Sequence, residues 1–448
     1  MARRRKPEDD LAAASAHPPQ VIPDGPNIDF ATLMPGYRKR HDGWNQQRVQ
    51  RFLDTLAHTG CVKDAARVAG MSTVAGRRAQ KRYPLFAAAW EDALARAHDE
   101  RFPWDVAKLM AENGLFGIML PEADGGQGGT LFDAVLAMEQ IALVCPRSAD
   151  VLQAGNFGAF RTFAEYASPE QKERFFTPLL RGETIAAVGM TEPDAGSALT
   201  DLKTTATREG NGYRLNGGKV FTSNTEDAGV FVVYCRFAPG VNGIGSVIVE
   251  RGMEGFRLGQ PSRYMNGETW CALYFDNVFI PAENVLLGEG GFRKQIAGFN
   301  VERAGNTTRA LALGEYCFRQ AKAHAESRKQ FGRALMEFQG LQWKFAEMRV
   351  ALDAAQLLLY RAAVNAGDGL PDAQEVAMAK YACNQAGWMA ANESMQIMGG
   401  TGYSQDLLIE YCVRKTRGWM IAGGSLEIMK NRIAEGVFGR SFAQRAPK

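Results

Sequence analysis

The chain changes texture twice, and that change limits its fold more than any other feature. Between about Gly182 and Gly291, short β-rich runs (213–215, 230–234, 246–249, 272–275) alternate with Gly and Asn turns such as Asn216-Gly217-Gly218. On both sides the apolar residues recur at helical spacing instead. A period near two in the middle and near 3.6 outside predicts a β domain of sandwich or barrel type flanked by helices. After Gly291, helices are expected over 294–330, 338–366, 371–398, 406–419 and 425–438, broken at Gly332, Gly367-Asp368-Gly369 and Gly399-Gly400. Antiparallel helices of this length with short loops make an up-down bundle. Ahead of the β domain, a helix starts at Phe102-Pro103-Trp104-Asp105 and others cover 131–144 and 152–166. Ser168-Pro169-Glu170-Gln171 opens one more, running to Leu180. The Gly125-Gly126-Gln127-Gly128-Gly129 run has no Lys-Ser/Thr after it and no strand–helix frame, so it reads as a turn between helices. The expected body is mainly α with a central β domain, divided at 99–182, 183–290 and 291–448.

No apolar run reaches the roughly 18 residues needed to span a bilayer. The basic start Met1-Ala2-Arg3-Arg4-Arg5-Lys6 is followed by Glu8, Asp9 and Asp10, unlike a secretory or transit peptide. Seven cysteines, odd in number and without a C-x-x-C, fit reduced thiols in a cytoplasm and argue against a disulfide framework or a zinc site. The net charge of +3 hides an asymmetry: residues 1–98 hold 16 Lys and Arg against 10 Asp and Glu, and the remainder is slightly acidic.

That basic excess lies in a segment of different character. Residues 1–37 are Pro-rich and read as a flexible leader. From 38 to 98 a small helical unit is expected. Val49, Phe52, Leu53 and Leu56 line one helix that stops at Gly60. A second runs over 62–69, Gly70-Met71-Ser72 makes a turn ending in an N-cap, and a basic helix covers 73–82. Helix, short glycine turn and basic helix resemble a helix-turn-helix module, with Arg77, Arg78 and Lys81 placed to contact DNA. The alternative for the same residues is a helical extension with a solvated basic face. Only 86–97 then remain to open the main body.

Two stretches in the β domain carry the chemistry. Met190-Thr191-Glu192-Pro193-Asp194-Ala195-Gly196-Ser197 leaves an apolar run and turns at once. Lys219-Val220-Phe221-Thr222-Ser223-Asn224 follows about 25 residues later. Pro193 fixes one φ, Gly196 lets backbone approach a ligand, and Phe221 offers an aromatic face beside small hydroxyls. A flat aromatic cofactor with a phosphate tail needs that combination. Glu192 and Asp194 read as turn-shaping residues.

In this order, helical, β and bundle segments with these two stretches resemble the acyl-CoA dehydrogenase family over residues 101–440. Leu120-Pro121-Glu122, Arg328-Lys329-Gln330-Phe331-Gly332, Gln396-Ile397-Met398-Gly399-Gly400 and Gly423-Gly424-Ser425-Leu426-Glu427-Ile428 add to the likeness. The resemblance implies non-covalent FAD, with Met190, Thr191 and Ser223 at the flavin edge and Phe221 where the family usually has Trp. Gly196 and Ser197 would lie near the cofactor phosphates or the pantetheine of an acyl-CoA substrate. Arg328, Phe331, Gln396 and Gly400, with Ser425 and Glu427, would hold FAD, the first four reaching into a neighbouring subunit. That implies a homo-oligomer, a dimer of dimers, with an electron-transferring flavoprotein as acceptor.

Many family members carry a catalytic Glu just before a Gly-Thr/Ser step in the last bundle segment; here that position is Gly423. A minority pattern puts the carboxylate in a Glu-Arg step on the first bundle helix, and Glu302-Arg303 matches it. Glu302 is therefore the expected base, Gly423 contributes a backbone N–H to the thioester carbonyl, and Arg303 contacts substrate. Glu302, Asn306, Arg309 and Leu313 share one helical stripe. A position near the helix N-terminus would set the dipole against a raised pKa. The rival readings are a flavin monooxygenase or nitroalkane-oxidising enzyme on the same fold, and a DNA-binding regulator with an acyl-CoA-sensing body.

Overall fold

The computed structural model describes residues 29–38, 41–97 and 102–442. The chain divides into two compact units, residues 1–99 and 100–448.

The smaller unit holds α1 (Phe30–Leu33), α2 (Gln46–Thr59), α3 (Val62–Val68), α4 (Thr73–Arg82) and α5 (Pro84–Ala97). Its helix ends follow from capping chemistry. The Asn45 side chain accepts from Arg48 N, Gly60 closes α2 at φ 64°, and Ser72 accepts from Ala75 N. Phe52, Leu56, Val62, Phe86 and Trp90 form the core, with the Phe52 and Trp90 rings 4.8 Å apart. The structure corrects one expectation. The leader ends earlier, because Asp29 caps α1 and Phe30 and Met34, four residues apart on one face, are buried in this core. The rest of the expected leader, 1–28, lies outside the described residues. The far end of the unit expected over 38–98 agrees, since residues 86–97 belong to α5, whose Phe86, Trp90 and Ala93 complete this core.

The larger unit begins with α6 (Trp104–Glu112), the Gly-rich turn and α7 (Leu131–Val144). The turn is as tight as expected: a Cβ on Gly126 would lie 2.4 Å from the Leu120 carbonyl oxygen. The single helix expected over 152–166 is two, α8 (Ser148–Ala154) and α9 (Ala159–Tyr166). Gly155 lies against the Phe116 ring and accepts from Gly117 N at 2.9 Å, and Gly158 turns left-handed at φ 67°. The next helix is in three parts, α10 (Pro169–Gln171), a π turn over Lys172–Phe176 and α11 (Thr177–Leu180), with the expected capping box at Ser168. Pro178 has no N–H to continue an α-helical ladder there.

The β domain is one sheet of β1 (Ile185–Gly189), β2 (Thr205–Glu209), β3 (Gly212–Ser223), β4 (Ala228–Arg236), β5 (Ile244–Glu250), β6 (Phe256–Leu258), β7 (Ser262–Arg263), β8 (Thr269–Pro281) and β9 (Val285–Leu287). Its order is β6-β8-β3-β2-β4-β5-β9, with β1 parallel to β4 and β7 on β8. Asn216-Gly217-Gly218, expected as a turn, lies inside β3 as a register shift against β8. Gly217, at φ 137°, is needed there because a Cβ would lie 2.7 Å from Thr204 Oγ1.

The bundle consists of α12 (Phe292–Ser327), α13 (Gln339–Asn365), α14 (Ala373–Met398), α15 (Gly400–Tyr403), α16 (Ile409–Trp419) and α17 (Leu426–Phe438), with the small hairpin β10 (Lys329–Gln330) and β11 (Arg333–Ala334) after α12. These bounds match the expected helices to within about three residues, with the short α15 added. The helices α12 and α14 approach backbone to backbone, since a Cβ on Gly387 would lie 2.0 Å from the Ala310 carbonyl oxygen. Among the described residues no helix is long and apolar enough to cross a membrane, and the seven cysteines are free thiols. Gly387→Ala should cost about 1–3 kcal/mol in urea denaturation by forcing these helices apart; unchanged stability would contradict the crossing.

Candidate active site

The two β-domain stretches are fastened together by a buried ion pair. β1 ends at Gly189, and the Thr191 carbonyl accepts from Val220 N at 2.8 Å. Glu192 then turns inward. Its Oε1 accepts from Lys219 Nζ at 2.7 Å and Thr204 N at 2.9 Å, and its Oε2 accepts from Lys203 N at 2.6 Å. Lys219 Nζ also donates to the Met190 carbonyl at 3.3 Å. Burial opposes charge on Glu192, but Lys219 and the donated hydrogen bonds hold its carboxyl below the usual range. Glu192 therefore does more than shape a turn, whereas the exposed Asp194 only pairs with Lys203. A tight turn, with Ala195 N donating to the Glu192 carbonyl at 3.1 Å, presents Gly196 and Ser197 to solvent. A Cβ on Gly196 would meet nothing within 4 Å, so the rim is open.

The aromatic face arises from a bulge. The β3–β8 register shifts between Lys219 and Thr222, and Phe221 takes φ 56° with its side chain 57% exposed. Its ring centroid lies 4.7 Å from that of Trp270 on β8. Tyr264 donates to the Phe221 carbonyl at 2.9 Å, and its ring stacks on Trp270. Ser223 pairs with Trp270 in the ladder. Sequence reasoning named Phe221 but missed Trp270, whose partnership depends on the bulge register.

Glu302 is the eleventh residue of α12, so the dipole, which acts on the first turn, does not oppose its titration as the sequence suggested. Its half-buried carboxylate accepts from Gln153 Nε2 on α8 at 2.7 Å and from Asn306 Nδ2 at 2.9 Å. Gly158 makes room, because a Cβ there would lie 2.6 Å from Glu302 Oε2. Burial pushes the Glu302 carboxyl above the ordinary range, against Arg309, the Gln153 and Asn306 hydrogen bonds and Lys380. A polar chain leads away from it. Asn306 Oδ1 accepts from Arg309, which pairs with Asp150 and lies over the Trp419 ring at 4.4 Å. Asp150 also accepts from Lys415 at 2.7 Å and Tyr411 at 3.0 Å, and Lys415 reaches Glu268 in the β domain.

Gly423 meets this cluster. It is left-handed at φ 74°, and a Cβ there would lie 3.4 Å from Asn306 Nδ2 and 3.7 Å from Lys380 Nζ. The two alternative sequence positions for a base, 302 and 423, thus converge on Asn306. The Gly423 N–H donates to no acceptor among the described residues, while its carbonyl accepts from Arg303 Nε at 3.0 Å. Arg303 also donates to Asn300 and, with Asn300, Arg293 and Arg432, lines a small cavity; burial, with Arg432 nearby, pushes its guanidinium down to about 10. Lys380, unremarked in the sequence, is fully buried beneath the same loop and donates to the Trp419 and Ala422 carbonyls at 2.9 Å. Burial, reinforced by Arg303 and Arg309 and opposed by Glu302, pushes it down to about 7.

The remaining predicted residues lie elsewhere. Arg328 follows α12, Phe331 sits on the β10–β11 turn at φ 51° and 94% exposed, and Gln396 and Gly400 flank the α14–α15 junction; all four are exposed. Ser425 caps α17 by accepting from Ile428 N, and Glu427 stands exposed in that helix's first turn.

Family models for the acyl-CoA dehydrogenase N-terminal, middle and C-terminal domains match residues 73–183, 187–278 and 289–438. The chain is 33% identical to a short-chain-specific acyl-CoA dehydrogenase of Clostridium acetobutylicum, over 76% of this chain and 91% of that protein. It is 32% identical to a 3-sulfinopropanoyl-CoA desulfinase of Paraburkholderia xenovorans, over 77% and 91%. Among solved structures, butyryl-CoA dehydrogenase from Megasphaera elsdenii superposes with a TM-score of 0.72 at 28% identity, covering 89% of this chain and all of that one.

The buried pair generates a stability test. Lys219→Met leaves Glu192 buried without its partner and should cost about 3–5 kcal/mol, whereas Glu192→Leu combined with Lys219→Met should cost less. Denaturation of both variants checks this, and a double variant less stable than the single would contradict it.

Proposed function

Because this chain belongs to the acyl-CoA dehydrogenase family, we propose that it is an FAD-dependent acyl-CoA dehydrogenase in which Glu302 removes the α-proton of an acyl-CoA thioester. The observation that carries this reading is the convergence of Glu302 and Gly423 on Asn306. A carboxyl raised by burial is a stronger base than an ordinary carboxylate. Gln153 and Asn306 donate to separate oxygens of Glu302 and fix its direction. As the α-carbon loses its proton, negative charge grows on the thioester oxygen, and the Gly423 N–H is available to receive it. Arg303 supports that role indirectly by holding the Gly423 carbonyl.

The residues around the opening pair suit FAD. The rim at Gly196 is open, and Phe221 with Trp270 offers an exposed aromatic face. Met190, Thr191, Phe221 and Ser223 would hold the flavin ring, and Gly196 and Ser197 the phosphates or the pantetheine. When bound, the flavin supplies the two-electron acceptor for the β-hydride, and an electron-transferring flavoprotein is the expected reoxidant. Arg328, Phe331, Gln396 and Gly400 would serve the FAD of a neighbouring subunit in a dimer of dimers, with Ser425 and Glu427 completing the cofactor set. A Phe side chain left almost wholly exposed on a single chain supports this.

Relatives of nearly equal identity carry names for different reactions of acyl-CoA thioesters, so identity alone does not select the chemistry. A positioned carboxylate supports a reaction that begins by taking a proton from carbon, as desaturation of a thioester does, and a flavin monooxygenase has no need of one at either base position.

Anaerobic mixing with a panel of acyl-CoAs should bleach the bound flavin, and Glu302→Gln should slow that by about 10²–10⁴-fold with FAD content unchanged. Since the folded Glu302 has a raised pKa and acts deprotonated, the wild-type rate should climb with pH through that pKa and level off above it. Fast bleaching in Glu302→Gln, or a flavin left oxidised by every acyl-CoA, would refute the reading.

A further inference from the structure

We propose that the small N-terminal unit is a duplex-DNA-binding module that lays α4 in the major groove. The inference is independent of the chemistry at Glu302. It starts from how α3 and α4 are joined. α3 closes with Gly70 N donating to the Arg67 carbonyl at 3.0 Å and Met71 N to the Ala66 carbonyl at 2.8 Å. Gly70 reverses the chain at φ 65° in open space, and Ser72 caps α4 by accepting from Ala75 N at 3.1 Å. Two helices joined by so short a glycine turn, the second packed on the first and on a third, have the arrangement that presents a recognition helix.

The packing of α4 decides which face it presents. Only Gly76 and Ala79 are buried, and a Cβ on Gly76 would lie 3.3 Å from the Trp90 ring. Small residues thus let α4 lie close on the core while its larger side chains stay outside. The helix carries four basic residues and no acid in ten positions. Arg77 does not belong to the outward set, contrary to the sequence expectation: it lies over Trp90 at 5.2 Å and donates to Gln80. Arg78 and Lys81 are exposed and have no ion-pair partner among the described residues. Val74 is 56% exposed in the first turn beside Thr73, on the same stripe as Arg78 and Lys81.

The exposed Val74 thus sits amid cationic side chains. It suits a helix whose first turn meets base edges, where an apolar group packs against a thymine methyl, while Arg78 and Lys81 neutralise phosphates. The width of a B-DNA major groove admits one α-helix. The charge asymmetry agrees, because the basic excess of the whole chain is confined to this end.

The test uses the full-length protein and a fluorescein-labelled, mixed-sequence duplex in anisotropy titrations at rising salt. Binding should weaken steeply with salt. Arg78→Ala with Lys81→Ala should lower affinity at least about tenfold and reduce the slope of log affinity on log salt by about two. The milder Arg78→Gln with Lys81→Gln should do the same, and circular dichroism checks that both variants fold. Val74→Ala should leave the slope unchanged and alter the sequences enriched by selection from a random duplex pool. Absence of binding at low salt, equal binding by the folded double variants, or equally tight capture of polyglutamate would overturn the proposal. The last result would make α4 a docking face for an acidic protein.

Discussion

The body of this protein depends on how closely α12 and α14 cross. Gly314 and Gly387 let the two backbones touch, with a Cβ on Gly314 placed 2.7 Å from Gly387 Cα. That contact sets the rotation of a 36-residue helix, about 54 Å long. Within about one to three turns of it lie Arg309, Asn306 and Glu302 on α12 and Lys380 on α14. A wider crossing would draw Lys380 on α14, with the Trp419 and Ala422 carbonyls it holds, away from Glu302 on α12. The site is therefore a consequence of helix packing before it is a set of catalytic groups.

The polar chain from Glu268 through Lys415, Asp150 and Arg309 to Asn306 and Glu302 draws on the β domain, α8, α12 and α16. Each member is either hydrogen-bonded or ion-paired along the chain, as a buried network must be to be tolerated. Its effect on the base is divided. Burial raises Glu302, while Arg309 and the two amide donors restrain the rise. The carboxylate is thus oriented by the same groups that moderate its basicity.

Much of the architecture was legible because its signals are local. Caps at Ser72 and Ser168, the stop at Gly60 and the long helical periodicities after Gly291 predicted element bounds closely. The departures came from long-range contacts. Gly155 broke an expected helix because Phe116, far off in sequence, fills the space a side chain would take. Gly217 read as a turn because its reason, the close approach of Thr204, comes from the residue just before another strand, β2. Glu192 looked like a turn residue until its partner Lys219 was in view. In the site itself, the stripe of Glu302, Asn306 and Arg309 could be drawn from helical geometry. Gln153, Lys380 and Trp270 could not, since nothing local marks a residue whose partner arrives from a different element.

The central claim is that Glu302 removes a proton from carbon, and proton removal can be observed apart from oxidation. An acyl-CoA with α-hydrogens but no β-hydrogens cannot be desaturated, yet its α-protons can exchange with solvent at the site. Nuclear magnetic resonance in D₂O should show these signals disappearing with wild-type protein and persisting with Glu302→Gln of equal FAD content. Equal exchange by the two proteins would contradict the assignment of Glu302 as the base.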